Sequence, residues 1–210
     1  MKYEDFRKRV ADYPYFRSNL FPHLTDKPAV LRRQLVDWVR QGRVITLKRG
    51  LYTLRDADRN VKFSLFYLAE QLYHPSYISL ESALGYYGMI PEGVYATISI
   101  TTKKTQCFEN AFGQFLYRHI QPDRYTGFVT VLDEFGNPFN IAEKERALVD
   151  FFYFQSRSIE EISPDIFIES FRLQNLEGLK IYKLKKHATI YKNQKLSKIV
   201  TLFIQELRLK

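Results

Sequence analysis

Apolar residues recur with a helical period at both ends of this chain and with a period of two in its middle. Residues 3–11 (YEDFRKRVA) set Phe6 and Val10 one helical turn apart, which predicts a short helix. Tyr13–Pro14 closes it, because a residue ahead of proline is pushed out of helical conformation. Residues 16–24 (FRSNLFPHL) predict a second, broken helical turn. In TDKPAVLRRQLVDWVRQG, Leu31, Leu35, Trp38 and Val39 fall on one helical face. Asp26 is the expected cap, Pro28 suits the first turn, and Gly42 is the expected stop. Two short apolar runs follow in GRVITLKRGLYTL, giving strands over 43–48 and 51–54 around the tip Lys48–Arg49–Gly50. Gly50 supplies the positive φ of a tight turn.

A polar stretch, 55–62 (RDADRNVK), separates this pattern from the next. Helices are predicted over 63–73 and from about 79 to 88, with Ser79 as cap and Gly88 as stop. Period-two runs at 97–102, 114–120, 127–132 and 138–141 predict a sheet of three or four antiparallel strands. Its aromatic residues Phe108, Phe112, Phe115, Tyr117, Tyr125 and Phe128 are expected to face a core. Helical patterns return at 143–154, 164–174, 178–190 and 196–208. The expectation is an α+β protein of two domains. Residues 1–56 form a winged helix-turn-helix, and 62–210 form a larger mixed domain with a small antiparallel sheet and C-terminal helices.

Composition narrows the chemistry. With 45% apolar residues, 17 Phe and 15 Tyr in 210 residues, the chain has the makings of a packed core. A single cysteine, Cys107, removes internal disulfides and cysteine-based metal sites. Four scattered histidines lack ligand spacing, so no metal and no cofactor is expected. The charged N-terminus and the absence of a long apolar run argue for a cytoplasmic protein with no membrane contact. The sequence holds no G-x-S-x-G, P-loop or H-E-x-x-H, and no catalytic residue is assigned. Glu143 and Glu145 read as first-turn charges on a helix, and Cys107 with His119 as unrelated residues. The expectation is therefore that the chain is not an enzyme.

The net charge of +9 is segregated. Residues 1–60 hold 14 Lys and Arg against 7 Asp and Glu, residues 61–178 hold 9 against 15, and residues 179–210 hold 9 against 1. Basic ends around an acidic middle suit a polyanion contacted at both ends. Arg33 and Arg40 lie opposite the apolar face of their helix and Arg32 flanks it. Such a helix can rest on a core and present its other face to a major groove, while a hairpin tip reaches phosphate. Lysines 183, 185, 186, 192 and 195 (Lys183, Lys185, Lys186, Lys192, Lys195) offer additional phosphate contacts, interleaved with Tyr182 and Tyr191. The alternative, from another class, is a protein-interaction module that binds its partner through the acidic, aromatic middle.

Four segments then carry a resemblance to a known family. They are GRVITLKRGLYTL (42–54), PSYISLESALGYYGMIPE (75–92), ISITTKKT with FGQFLYRHI (98–105 and 112–120), and FNIAEKERALVDFFYF (139–154). In their order and spacing they resemble AbiEi antitoxins of the AbiE, type IV, toxin–antitoxin systems. The last 50 residues match only in being helical and basic. The resemblance implies an N-terminal winged helix, a C-terminal antitoxin domain, and binding to double-stranded DNA at repeats in the protein's own promoter. It implies transcriptional autorepression, and a nucleotidyltransferase-like toxin as functional partner without a stable complex. By position, the recognition helix would use Lys27, Arg32, Arg33 and Arg40, and the wing Lys48 and Arg49.

Overall fold

In a computed structural model, residues 1–91, 93 and 95–209 are described; Glu92, the last residue of the 75–92 segment, lies outside them. The N-terminal region runs α1 (Tyr3–Val10), β1 (Phe16–Arg17), α2 (Phe21–Leu24), α3 (Pro28–Arg40), β2 (Val44–Lys48) and β3 (Leu51–Leu54). Its strands form an antiparallel sheet in the order β1-β3-β2. The two-residue strand β1 is an addition to the expected hairpin. It is too short to show a period, and it exists because Phe16 and Arg17 lie opposite Tyr52 and Leu51. This region closes on its own apolar cluster, in which Phe6, Phe21, Leu31, Trp38 and Val44 are buried.

The remainder contains α4 (Leu65–Leu72), β4 (Ser76–Ile78), α5 (Leu80–Tyr86), β5 (Ala96–Thr101), β6 (Gln106–Asn110), β7 (Gly113–His119), β8 (Phe128–Leu132), β9 (Pro138–Ala142), α6 (Lys144–Gln155), α7 (Ile181–Ile190) and α8 (Gln194–Leu209). The α+β class and the C-terminal helices match the expectation. The larger sheet departs from it. It has six strands in the order β6-β7-β5-β4-β9-β8, and β5–β7 and β4–β9 pair in parallel. Strands β4 and β6 are short or polar and left no period-two signal. The pattern at 164–174 yields a shorter helix of π type, Ile166–Ser170.

Caps differ too. Lys27, not Asp26, is the N-cap of α3, and its side chain makes no capping bond. Ser79 holds the N-cap position of α5, but its hydroxyl donates to Asp150 at 2.8 Å instead of serving the helix. The aromatic residues of the sheet do face a core. Phe115 and Tyr117 are buried, and Phe108, Phe112, Tyr125 and Phe128 pack against the same cluster.

The two regions are bolted together. Leu47 and Leu51 of the β2–β3 hairpin are buried in the larger core, not in the N-terminal one. Asn110 of β6 donates to the Leu47 carbonyl at 3.0 Å, and Tyr15 donates to Gln71 at 2.8 Å. Stretch 55–62 is itself fixed: Arg59 bonds Thr53 and the carbonyls of Leu54 and Val61, and lies over the Phe63 ring.

Candidate nucleic-acid interface

Helix α3 divides cleanly. Leu31, Leu35 and Trp38 are buried, while Arg32, Arg33, Val36 and Arg40 are exposed. Spacing of three and four residues puts the exposed group on one side of the helix, opposite the core. Among the described residues Arg32 and Arg33 have no ion-pair partner, and Arg40 has only a loose one in Asp37 at 4.0 Å. Lys27 is exposed at the start of the helix. Val30 and Val36 are also left in solvent, at 45% and 49%. The face thus mixes guanidinium groups with small apolar side chains.

At the hairpin the two tip cations part company. Arg49 is exposed. Gly50 has φ +80 and its carbonyl accepts from Ser18, which ties the turn to β1. Lys48, expected at the free tip, is instead turned inward and half-buried. Its ammonium donates to the Leu72 carbonyl at the end of α4 and lies 5.5 Å from the Phe108 ring centre. Burial lowers its pKa, and the nearby charges of Arg17 and Lys103 add to that. Lys48 therefore joins the two regions rather than extending from one. The same docking brings Arg17 and Lys103, neither expected, beside the tip. Lys103 sits over the Tyr73 ring at 5.3 Å, in the turn between β5 and β6.

The C-terminal lysines also separate. Lys183 is paired with Glu143 at 2.7 Å, and that bond raises the lysine's pKa and lowers the glutamate's. Lys195 donates to the Ile159 carbonyl. Tyr191, read as a partner for phosphate-binding lysines, is 1% exposed. Lys185, Lys186 and Lys192 remain exposed.

Tyr191 belongs to a second concentration of polar groups, and that one is sealed. Arg146 and Asp150, one turn apart on α6, are both fully buried with Nε 2.7 Å from Oδ1. Tyr191 donates to Asp150 Oδ1 at 2.6 Å, while Tyr77 and Ser79 donate to Oδ2 at 3.0 and 2.8 Å. Arg146 Nη2 donates to the Tyr77 and Tyr191 hydroxyls and to the Arg124 carbonyl. Burial opposes the guanidinium charge, but Asp150 and the two tyrosines hold its pKa above the ordinary value. Burial, with Asp150 second, pushes both tyrosines upward, so they stay protonated. His187 packs beside this network; its nitrogens make no hydrogen bond among the described residues, and Nε2 lies 3.8 Å from Glu143 Oε2. Burial and then Arg146 lower its pKa. Gly127 (φ +82) makes room: a Cβ there would stand 2.6 Å from His187 Cε1.

The two glutamates read as first-turn charges have specific partners, Glu143 in Lys183 and Glu145 in the Lys180 amide at 2.8 Å. Cys107 lies opposite Leu116, and His119 Nδ1 meets the Lys103 carbonyl at 2.8 Å, so the two form no pair. Among the described residues no group of three or more His, Cys, Asp or Glu side chains is arranged to hold a metal ion. No described helix is long and apolar enough to cross a membrane. In comparison with known proteins, no family model and no curated protein matches the chain.

Proposed function

We propose that residues 1–56 are a winged helix-turn-helix that binds double-stranded DNA, with α3 in the major groove and the β2–β3 hairpin as the wing. The observation that carries this reading is the exposed face of α3. Arg32 and Arg33, without an ion-pair partner among the described residues, are placed to meet phosphate or the acceptor edge of guanine. Val30 and Val36 beside them suit contact with thymine methyl groups. Arg49, with Arg17 and Lys103, supplies a second cationic point for the neighbouring backbone. Lys48 supports the hairpin from below. Of the five C-terminal lysines expected to add phosphate contacts, Lys185, Lys186 and Lys192 are the ones left exposed.

The resemblance to AbiEi antitoxins extends this to autorepression of a toxin–antitoxin operon in the cytoplasm, with a nucleotidyltransferase-like toxin as functional partner. The reading is non-catalytic: the densest polar network, around Arg146 and Asp150, offers no reacting atom to solvent. The alternative of a protein-interaction module has less to stand on in the sheet aromatics that suggested it, because Phe108, Phe112, Phe115, Tyr117, Tyr125 and Phe128 all pack in or against the core.

The test is binding to a duplex taken from upstream of the protein's own gene against a scrambled duplex of equal length. Specific DNA readout predicts tighter binding to the upstream duplex by at least ~10³-fold at physiological salt. Equal affinity for both duplexes contradicts a sequence-specific repressor.

A further inference from the structure

The six-stranded sheet has two edges, and only one is managed. At the β6 edge the strand Gln106–Asn110 carries Glu109 and is covered by the hairpin, through Asn110 to the Leu47 carbonyl and Lys48 over Phe108. At the other edge β8 reads Phe-Val-Thr-Val-Leu, with no charge, proline, glycine or bulge. Its main chain hydrogen-bonds only to β9 among the described residues. Soluble proteins normally blunt such an edge with a charge, a proline or a covering element, because its unpaired N–H and C=O groups recruit another strand.

The surface around β8 is apolar as well. Val129 and Leu132 are 40% and 65% exposed, and Phe135 follows in the turn. Leu65 and Tyr86, also exposed, line a groove of about 360 Å³ with Leu132 at the far end of the strand. Five of the eleven large apolar side chains exposed among the described residues therefore gather along this one edge.

We propose that β8 pairs antiparallel with β8 of a second copy of this chain, giving a continuous twelve-stranded sheet across a two-fold axis. The occupant follows from charge and symmetry. The near end of β8 abuts α7, where Gly127 meets His187; with Lys183 taken by Glu143, α7 still presents Lys185 and Lys186 to solvent and has no acidic residue of its own. The far end leads to Glu134, which is exposed and without an ion-pair partner among the described residues. An antiparallel pair sets each Glu134 against the other copy's α7, whereas a parallel pair would set like ends together. A two-fold axis at Thr130 places Val129 opposite the second copy's Val131, and Phe128 opposite its Leu132. The covered β6 edge stops further addition, so the assembly closes at two. This inference is independent of DNA binding.

Sedimentation equilibrium of the full chain tests it. The wild type is expected at twice the 25.0 kDa chain mass. The Val129→Lys/Leu132→Lys variant, altered only at exposed positions, is expected at the single-chain mass with an unchanged melting curve. As an independent check, Thr130→Cys in a Cys107→Ser background is expected to form a disulfide-linked dimer on mild oxidation, since residues facing across an antiparallel pair have Cβ atoms about 4.5–5.5 Å apart. Val36→Cys, on the exposed face of α3, is expected not to cross-link. A wild type that stays at the single-chain mass up to its solubility limit overturns the proposal. So does a double-lysine variant that keeps the doubled mass, or a Thr130→Cys chain that cross-links no faster than Val36→Cys.

Discussion

Arg32 and Arg146 are both helical arginines in apolar sequence, and they have opposite fates. Arg32 stands in solvent on α3 with no ion-pair partner among the described residues. Arg146 is fully buried on α6, held by Asp150, Tyr77, Tyr191 and the Arg124 carbonyl. A buried guanidinium loses its hydration, so the fold must supply a counter-ion and fixed acceptors: Asp150 faces Nε and three oxygens take Nη2, while Nη1 has no hydrogen-bond partner among the described residues. An exposed one keeps its water and can exchange it for a phosphate or a base edge. Partner satisfaction thus separates charges that build the molecule from charges that can act on something else.

The largest effect expected from breaking this contrast is at the sealed pair. Asp150→Ala leaves a buried cation without its counter-ion and should cost about 3–5 kcal/mol of stability. Chemical denaturation would measure it, and a loss below about 1 kcal/mol would mean that the pair is hydrated or dispensable. Next comes the hairpin, where two adjacent cations are assigned different work. Arg49→Ala should lower the slope of log K against log[salt] by about 0.9 with little change in stability. Lys48→Ala should leave that slope in place and instead weaken the docking of the hairpin on α4, seen as faster amide exchange around Leu47 and Leu51.

The smallest expected effect is acid sensitivity. His187 has a folded pKa below its ordinary value, because burial and Arg146 disfavour its charge. Above about pH 6.5 both folded and unfolded states hold it neutral. As the pH falls below that, the unfolded chain takes a proton that the folded one refuses, so stability drops. Glu143, held low by Lys183, adds to the loss as the pH falls through the carboxylate range. A melting temperature that falls on acidification in the wild type and falls less in His187→Gln would fit. Identical profiles would remove His187 from the explanation.

Much of this contrast was legible in the sequence, and the illegible part has physical causes. The apolar stripe Leu31, Leu35, Trp38 marks α3 and its exposed arginines directly, because one helix against one core shows a period. Gly50 and the apolar runs around it mark the hairpin. The inward turn of Lys48 was hidden because it depends on β6 and α4, which lie far away in sequence. Strand β1 is too short for any period, and Arg17 went with it. The sealed pair did leave a signal. Ala147, Leu148, Val149, Phe151 and Phe152 surround α6 with apolar side chains, so the helix had to be buried on all sides. A charge pair at i, i+4 within such a helix has to be internal.

The most direct test of the central claim is the salt dependence of binding to the upstream duplex for the wild type and for Arg32→Ala/Arg33→Ala. Both arginines are exposed and have no ion-pair partner among the described residues, so their removal should change stability by no more than about 0.5 kcal/mol. If the exposed face of α3 contacts DNA, the double variant should bind at least ~10-fold more weakly, with a salt slope smaller by about 0.9 for each arginine that meets phosphate. An unchanged affinity and slope in a folded double variant would contradict the assignment of this face to DNA.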